Sequence, residues 1–350
     1  QTPSWMRIES TSAATPLFEG IARGGAMPLE AWLVPAASWT LLMVALGGVV
    51  CLVSMMLANR WIDDERLAFP LAQVPLEISG YRTDHRPLLP TRGKLFLAGL
   101  TITVCWRMLA EIDYHFPGLA SVEPLCGHDL IPSDIAPPWS AALPVSLTII
   151  PAVVALAFLT PSDVIGSIWA FFVIRKLALV LMSSFEAHVV MGLQNPADVF
   201  AWQGLGAYVL MGAVLLGRGW RSFRAEVSPE TRFRVILALL VAFGGIIFWT
   251  VLSGMSVGAA LVFWGLFIVN SIVLARMTSE GGLMWLLGPI RPDRVVNRLM
   301  ASGVVPSSNC FSLAFHSLHT RVYHGLAMPN LMQALKIGDE LEFDSRRMAA

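Results

Sequence analysis

Seven apolar runs of 18–22 residues constrain this chain more than any other feature. They are Trp39–Leu57, Leu95–Ile112, Leu143–Thr160, Val164–Phe185, Val199–Gly217, Val235–Leu252 and Val257–Ala275. A helix needs about 20 such residues to cross the ~30 Å hydrocarbon layer of a bilayer. In lipid each backbone N–H and C=O must be satisfied inside the protein, so the runs predict helices and the chain an all-α, polytopic transmembrane bundle. Composition agrees: 55% of residues are hydrophobic and 14% charged, against about 25% charged in soluble domains. Mean hydropathy is +0.65. The 24 Lys/Arg balance the 24 Asp/Glu, so no net field recruits a polyanion, and nucleic acid is excluded as a partner. Cys51, Cys105, Cys126 and Cys310 show no paired spacing, which argues against a redox motif or a disulfide scaffold.

Charge distribution supplies an orientation. Ala58–Lys94 carries six Lys/Arg, Arg218–Arg234 five, and the tail from Arg276 eight, whereas Asp113–Ala142, Glu186–Asp198 and Ser253–Ser256 carry none. Cytoplasmic connections concentrate Lys and Arg, so the expected topology has the amino terminus outside, seven crossings and the carboxyl terminus in the cytoplasm. The organisation follows: a leading extracytoplasmic segment 1–34, a bundle 35–276 with a cytoplasmic amphipathic connection 58–94, and a cytoplasmic or interfacial tail 277–350. Trp32, Trp39, Trp139, Trp202 and Trp249 fall near the outer boundary on this reading, and Trp61 and Trp220 near the inner one. Gln1-Thr2-Pro3 is not a translation start and Arg346-Arg347-Met348 closes no element. The chain is therefore expected to be a piece of a longer protein.

Arg175 and Lys176 interrupt the fourth run, and two placements accommodate them. Either Val164–Phe185 crosses continuously with both charges near the midplane, or 164–174 is re-entrant and Leu177–Leu193 makes the crossing. The second puts the long side chains at an interface where they can snorkel.

Intramembrane charge is costly and marks candidate sites. Arg107 and Glu111 stand one helical turn apart on one face, either as an ion pair at a helix end or as the lining of a polar path. Cys126-x-His128-Asp129 in the outer loop has the donor types of a soft-metal site, without repeated ligand spacing. Cys310, His316, His319 and His324 are also donors; only His316 and His319 share a helical face, and the tail cluster reads as a surface or interface feature. Whether Cys126 or the 316–324 histidines take metal stays open, and no cofactor is expected. HExxH and phosphate-loop patterns are absent, so the chain is not expected to be an enzyme. Glu280-Gly281-Gly282 precedes the short apolar run Leu283–Ile290, which reads as a half-inserted segment or an interfacial lid. In the connection 58–94, Pro70 and Pro75 interrupt an amphipathic stretch that is either a hinge or a membrane-surface strut.

Several stretches carry a resemblance. Trp61-x3-Glu65-Arg66-Leu67-Ala68-Phe69-Pro70-Leu71, continuing to Pro75-Leu76-Glu77, is the most distinctive. Arg276-x3-Glu280-Gly281-Gly282, Met328-Pro329-x3-Gln333-Ala334-Leu335-Lys336, Pro3-Ser4-Trp5 and Phe18-Glu19-Gly20 accompany it. Together these resemble a family of uncharacterised bacterial integral membrane proteins that is similar to the oligopeptide transporter superfamily, which includes carriers of metal–siderophore complexes. The resemblance implies a bacterial inner-membrane location and a proton-coupled secondary carrier of small peptides or metal chelates.

The expected function is accordingly secondary transport of a small polar solute. Arg107, Arg175 and Lys176 are the candidate substrate-binding cations, Glu111 the proton-coupling carboxylate and Glu280 the inner gate. Partners on this reading are the lipid bilayer, the solute, and other membrane subunits or further copies of the chain. The competing class is a non-transporting integral subunit that scaffolds a larger membrane complex. Water access to Arg107 or Arg175 discriminates the two.

Overall fold

The computed structural model describes residues 3–8, 10–21, 26, 28–79, 93–116, 126–130, 134–148, 150–185, 196–283, 288–306, 309–320 and 326–341. Among them the chain is built of helices: α1 (Thr11–Glu19), α2 (Leu29–Asn59), α3 (Pro70–Ser79), α4 (Lys94–His115), α5 (Pro151–Ala157), α6 (Ser162–Ser184), α7 (Pro196–Glu226), α8 (Pro229–Leu252), α9 (Val257–Gly281), α10 (Pro292–Ala301), α11 (Cys310–His316) and α12 (Ala327–Glu340). One short antiparallel pair, β1 (Cys126–Asp129) with β2 (Ser146–Thr148), aligns Asp129 with Ser146 and Cys126 with Thr148.

Five helices among the described residues are long and apolar enough to cross a membrane: Leu29–Asp64, Ser162–Ser184, Asp198–Glu226, Pro229–Leu252 and Val257–Gly281. The fold is a polytopic helix bundle. A sixth expected run coincides with α4, whose continuous apolar stretch is the shorter Phe96–Leu109. The run Leu143–Thr160 departs from expectation. It forms β2 and the seven-residue α5, with a 3-10 turn at Trp139–Ala142 just before. Pro144 and Pro151 account for this: each lacks a backbone N–H and obstructs a helix running through it, and Pro151 instead sits in the first turn of α5. α6 is one continuous helix, so residues 164–174 do not turn back, and Arg175 and Lys176 stand within a crossing.

Local chemistry sets several ends. Ser228 caps α8 by accepting from Thr231 N at 3.4 Å, with Pro229 and Glu230 in the first turn. α9 stops where Gly282 takes φ +64°, and a Cβ there would lie 2.8 Å from Pro70 Cβ; only glycine meets both demands.

Two compact units divide the chain: Gln1–Arg66, Gly204–Ala275 and Leu287–Met332 form one; Leu67–Gln203, Arg276–Leu286 and Gln333–Ala350 form the other. In the first, α2 packs antiparallel to α8, with Trp249 Nε1 donating to Ser38 O at 3.0 Å. At the other end of α2, Asn59 donates to Glu226 (2.9 Å) and Arg60 to Ser222 (3.2 Å), so the carboxyl ends of α2 and α7 lie together. Leu57 fills the space a side chain on Gly219 would need. Residues expected in a cytoplasmic or interfacial tail fold back along α9. Gly288 lies against Asn270, midway along that helix, and Asn309 Oδ1 accepts from Ser256 N (2.5 Å) at its start.

The second unit gathers α3, α4, the β pair, α5, α6 and the last turn of α9. Phe69 N donates to Ser279 O at 2.8 Å and Thr160 Oγ1 to Gly281 O at 2.9 Å, which fixes the α3 start and the α5–α6 connection to that turn. Pro70 opens α3 instead of breaking it, while Pro75 lies inside.

Candidate functional site: a buried polar core

The apolar packing of the first unit encloses a band of polar groups running from the start of α9 to its middle. His316, the last residue of α11, is fully buried. Its Nε2 lies 3.3 Å from Ser253 Oγ, which is also 2.6 Å from Ser312 Oγ and donates to Thr250 O at 2.6 Å. A hydroxyl has one proton. With that proton committed to Thr250, Ser312 and His316 both donate to Ser253, which fixes His316 as its Nε2–H tautomer. Nδ1 then carries a bare lone pair, and among the described residues it has no hydrogen-bond partner. Trp249, Phe263 and Trp264 surround the ring at centroid distances of 5.6, 5.8 and 5.6 Å. Burial in this box, then the charge of His319, push the His316 pKa down to about 3. His319 is also held below its ordinary value by burial, partly offset by its hydrogen bond to the His316 carbonyl. Both imidazoles are therefore neutral near pH 7.

Closer to the middle of α9, Asp293 is 4% exposed. Arg291 grips it through two bonds, Nε to Oδ1 at 3.0 Å and a guanidinium nitrogen to Oδ2 at 2.5 Å, and the Thr320 hydroxyl shares its one proton between Asp293 Oδ1 at 3.1 Å and Ser317 O at 2.9 Å. The bidentate geometry suits guanidinium and carboxylate. Asn270, Ser271, Pro292, His319 and Thr320 line a cavity of about 10 Å³ there. The peptide of Gly288 approaches Asn270 so closely that a Cβ would fall 2.4 Å from its Oδ1. The core thus offers hydroxyl, amide and imidazole groups around one charge-neutralised pair. Such an arrangement hydrogen-bonds a small polar group or relays a proton. Among the described residues no three His, Cys, Asp or Glu converge to hold a metal ion.

His316 and His319 were singled out from sequence as donors; the candidate binding, coupling and gate residues lie elsewhere, in the second unit. Arg107 and Glu111 pair on α4 at 3.4 Å, with side chains 71% and 58% exposed. Arg175 is exposed, while Lys176 Nζ donates to the carbonyls of Ala142 and Pro144 at 2.6 and 2.8 Å. Glu280 accepts from Arg276 at 3.2 Å and, with Asp163 and Ser167, lines an open cavity of about 470 Å³. Among the described residues no hydrogen bond or ion pair joins Arg107 or Glu111 to Arg175, Lys176 or Glu280. The side chains of Cys126, His128 and Asp129, and residue His324, lie outside the described residues.

Sequence reasoning did not single out Asp293, Thr320, Ser253 or Asn270. A signal existed for the last: Asn270-Ser271 is a polar pair inside the apolar run Val257–Ala275, where unpaired polarity is expensive.

The chain belongs to a family of unknown function, DUF6785, which it matches over residues 1–350. No curated protein and no solved structure matches it.

Proposed function

We propose that this DUF6785 chain is a proton-coupled secondary carrier whose polar path runs beside α9 and α10. One observation carries the reading. α10 buries Asp293, Val295 and Val296 but exposes Arg294, Asn297 and Arg298, and its first residue, Pro292, lines the same cavity as Asn270. Asn270 stands 13 residues from the start of α9 and 11 from its end, near the bilayer midplane when that helix crosses. Guanidinium groups exposed at that depth need water, and a water-filled vestibule beside a broken helical element is where carriers place their sites.

The sequence-derived roles assigned coupling to Glu111. Burial favours Asp293, because its protonation would release Arg291 and Thr320 together, whereas Glu111 is exposed beside a partner on its own helix. Glu280, with Asp163 at the larger cavity, retains the gate role. Peptides or metal chelates as cargo, and a bacterial inner membrane, rest on the sequence resemblance alone. For orientation, crossings by α2, α6, α7, α8 and α9 with the amino terminus outside put the arginine-rich α7–α8 connection on the cytoplasmic face and the Lys/Arg-free Ser253–Ser256 outside, while the equally Lys/Arg-free Asp113–Ala142, expected outside, then falls on the cytoplasmic side.

The scaffold reading draws on α4, which exposes Leu97, Leu100, Ile102, Val104 and Met108 and would suit a partner subunit. Uptake decides between the two. Protein in proteoliposomes is offered pooled di- to tetrapeptides and metal chelates, with and without an inward proton gradient. Gradient-driven accumulation lost in Asp293→Asn supports the carrier. Accumulation that persists in Asp293→Asn with unchanged pH dependence removes the coupling role, and no accumulation by folded protein favours the scaffold.

A further inference from the structure

We infer that the chain from β1 (Cys126–Asp129) to Pro161 forms a re-entrant element that dips into the membrane and returns to the surface it left, with Lys176 of α6 as the anchor of its tip. The inference rests on α6 crossing the bilayer and is independent of the carrier reading.

Depth along α6 gives the first argument. The helix runs Ser162–Ser184, and at about 1.5 Å per residue Lys176 lies roughly 21 Å from its start and 12 Å from its end. Centred in a ~30 Å hydrocarbon layer, its Cα stands within about 5 Å of the midplane. Nζ binds two backbone carbonyls, Ala142 at 2.6 Å and Pro144 at 2.8 Å. A lysine side chain reaches about 6 Å, so those carbonyls lie well inside the apolar layer. The Trp139–Ala142 turn packs on α6 at the same level.

The return path gives the second argument. Pro161 immediately precedes α6, and Thr160 is tied by its hydroxyl to Gly281 O at 2.9 Å. Residues 145–148 and 150–161 therefore run from mid-depth back to the surface where α6 begins. β1 pairs with β2 on this return path, Asp129 opposite Ser146, so the incoming strand lies beside the outgoing one.

Composition gives the third. No ionisable side chain occurs in the 28 residues between Asp134 and Asp163, which include Pro137, Pro138, Pro144, Pro151 and Pro161. The tip and return path are apolar enough to tolerate hydrocarbon, and so many prolines forbid a continuous crossing helix. Trp139, Pro144 and Leu147 are exposed, as lipid-facing residues would be. Non-helical backbone at membrane depth requires partners within the protein. Here the β pair and the lysine ammonium supply them, and the same carbonyls solvate a charge that would otherwise be stranded near the midplane.

The test uses the full chain in liposomes, with Cys51, Cys105, Cys126 and Cys310 replaced by serine. Ser140→Cys reports the tip and Ser162→Cys the base. Expected is Ser140→Cys labelling by a membrane-impermeant maleimide at least about tenfold slower than Ser162→Cys from either side, because the tip is out of water. A nitroxide at 140 should collide more with oxygen than with a water-soluble nickel chelate, and one at 162 the reverse. Equal labelling of the two positions, or a nitroxide at 140 in full contact with the chelate, overturns the re-entrant assignment. Lys176→Met should raise tip labelling and Lys176→Arg should not. Unchanged labelling in a folded Lys176→Met protein overturns the anchor role. Should that variant not fold, the comparison of positions 140 and 162 with Lys176 intact still decides the assignment.

Discussion

His316 Nε2 and Ser253 Oγ meet at 3.3 Å although 63 residues separate them, and this contact ties the segment after α9 to the turn before it. It also fixes a neutral, buried imidazole whose second nitrogen has no hydrogen-bond partner among the described residues. The polar core therefore has a defined protonation state and a defined place in the fold, both of which experiment can address.

The first prediction concerns pH. The folded pKa of His316 is about 3 against an ordinary value of 6.5. Between those values the unfolded chain binds the proton and the folded chain does not, so stability rises with pH across that window. The contribution is complete above the unfolded pKa and is lost as pH falls, at about 1.4 kcal/mol per pH unit at the steepest. Thermal unfolding in detergent should show a midpoint that declines below about pH 6.5, and His316→Gln should flatten this slope. A wild-type midpoint unchanged down to pH 4.5 would contradict the buried neutral imidazole.

The second concerns Asp293. Replacing it by asparagine removes the bidentate partner of Arg291 and leaves a half-buried guanidinium without its carboxylate. The expected loss is about 2–4 kcal/mol of unfolding free energy, since breaking one side of a buried pair costs more than removing both. Arg291→Met combined with Asp293→Asn should recover part of it. A double-mutant cycle in which the two losses simply add would show that the pair is not coupled.

How much of this was legible in the sequence depends on what each signal measures. Hydropathy located α2, α6, α7, α8 and α9, because apolar length is what a crossing helix requires, and it located α4 as a helix whose apolar stretch is shorter. It failed at Leu143–Thr160 because an apolarity sum is blind to proline, and Pro144 and Pro151 decide that segment. The i,i+4 spacing of Arg107 and Glu111 placed their ion pair correctly, being a property of one helix. The His316–His319 spacing was equally visible, yet the pair was read as part of a surface or interface cluster. Their burial comes from Trp39 of α2, Trp249 of α8 and Trp264 of α9, elements far off in sequence. Trp39 and Trp249 were read as boundary markers, and they also wall the polar core.

Glycine substitutions separate packing from propensity. A methyl group on Gly288 would meet Asn270 at 2.4 Å, whereas one on Gly258 would meet nothing within 4 Å. Gly288→Ala should therefore destabilise by about 1–3 kcal/mol through overpacking. Gly258→Ala, in α9, should be neutral or stabilise by up to about 1 kcal/mol. Thermal unfolding of the two variants side by side checks this, and shortening Asn270 to Ala in the Gly288→Ala background should relieve part of the loss. Equal midpoints for the two glycine variants would mean that Gly288 does not touch α9.

The fold-back of the segment after α9 makes a topological prediction that needs no functional assay. Asn309 Oδ1 accepts from Ser256 N at 2.5 Å, so Cys310 must lie on the same side of the membrane as the α8–α9 turn. Cys310 is exposed and can report this directly. With the other cysteines removed, an impermeant maleimide should label Cys310 from the side that labels a Ser256→Cys variant, and from the side opposite a cysteine placed at Arg221 near the end of α7. Asn309→Ala should weaken the attachment by about 1–2 kcal/mol, the worth of a buried cap, and the segment should then become more susceptible to limited proteolysis. Labelling of Cys310 from the Arg221 side would place residues 309–316 on the cytoplasmic face, as a simple tail requires, and would remove the polar core as the carrier's site.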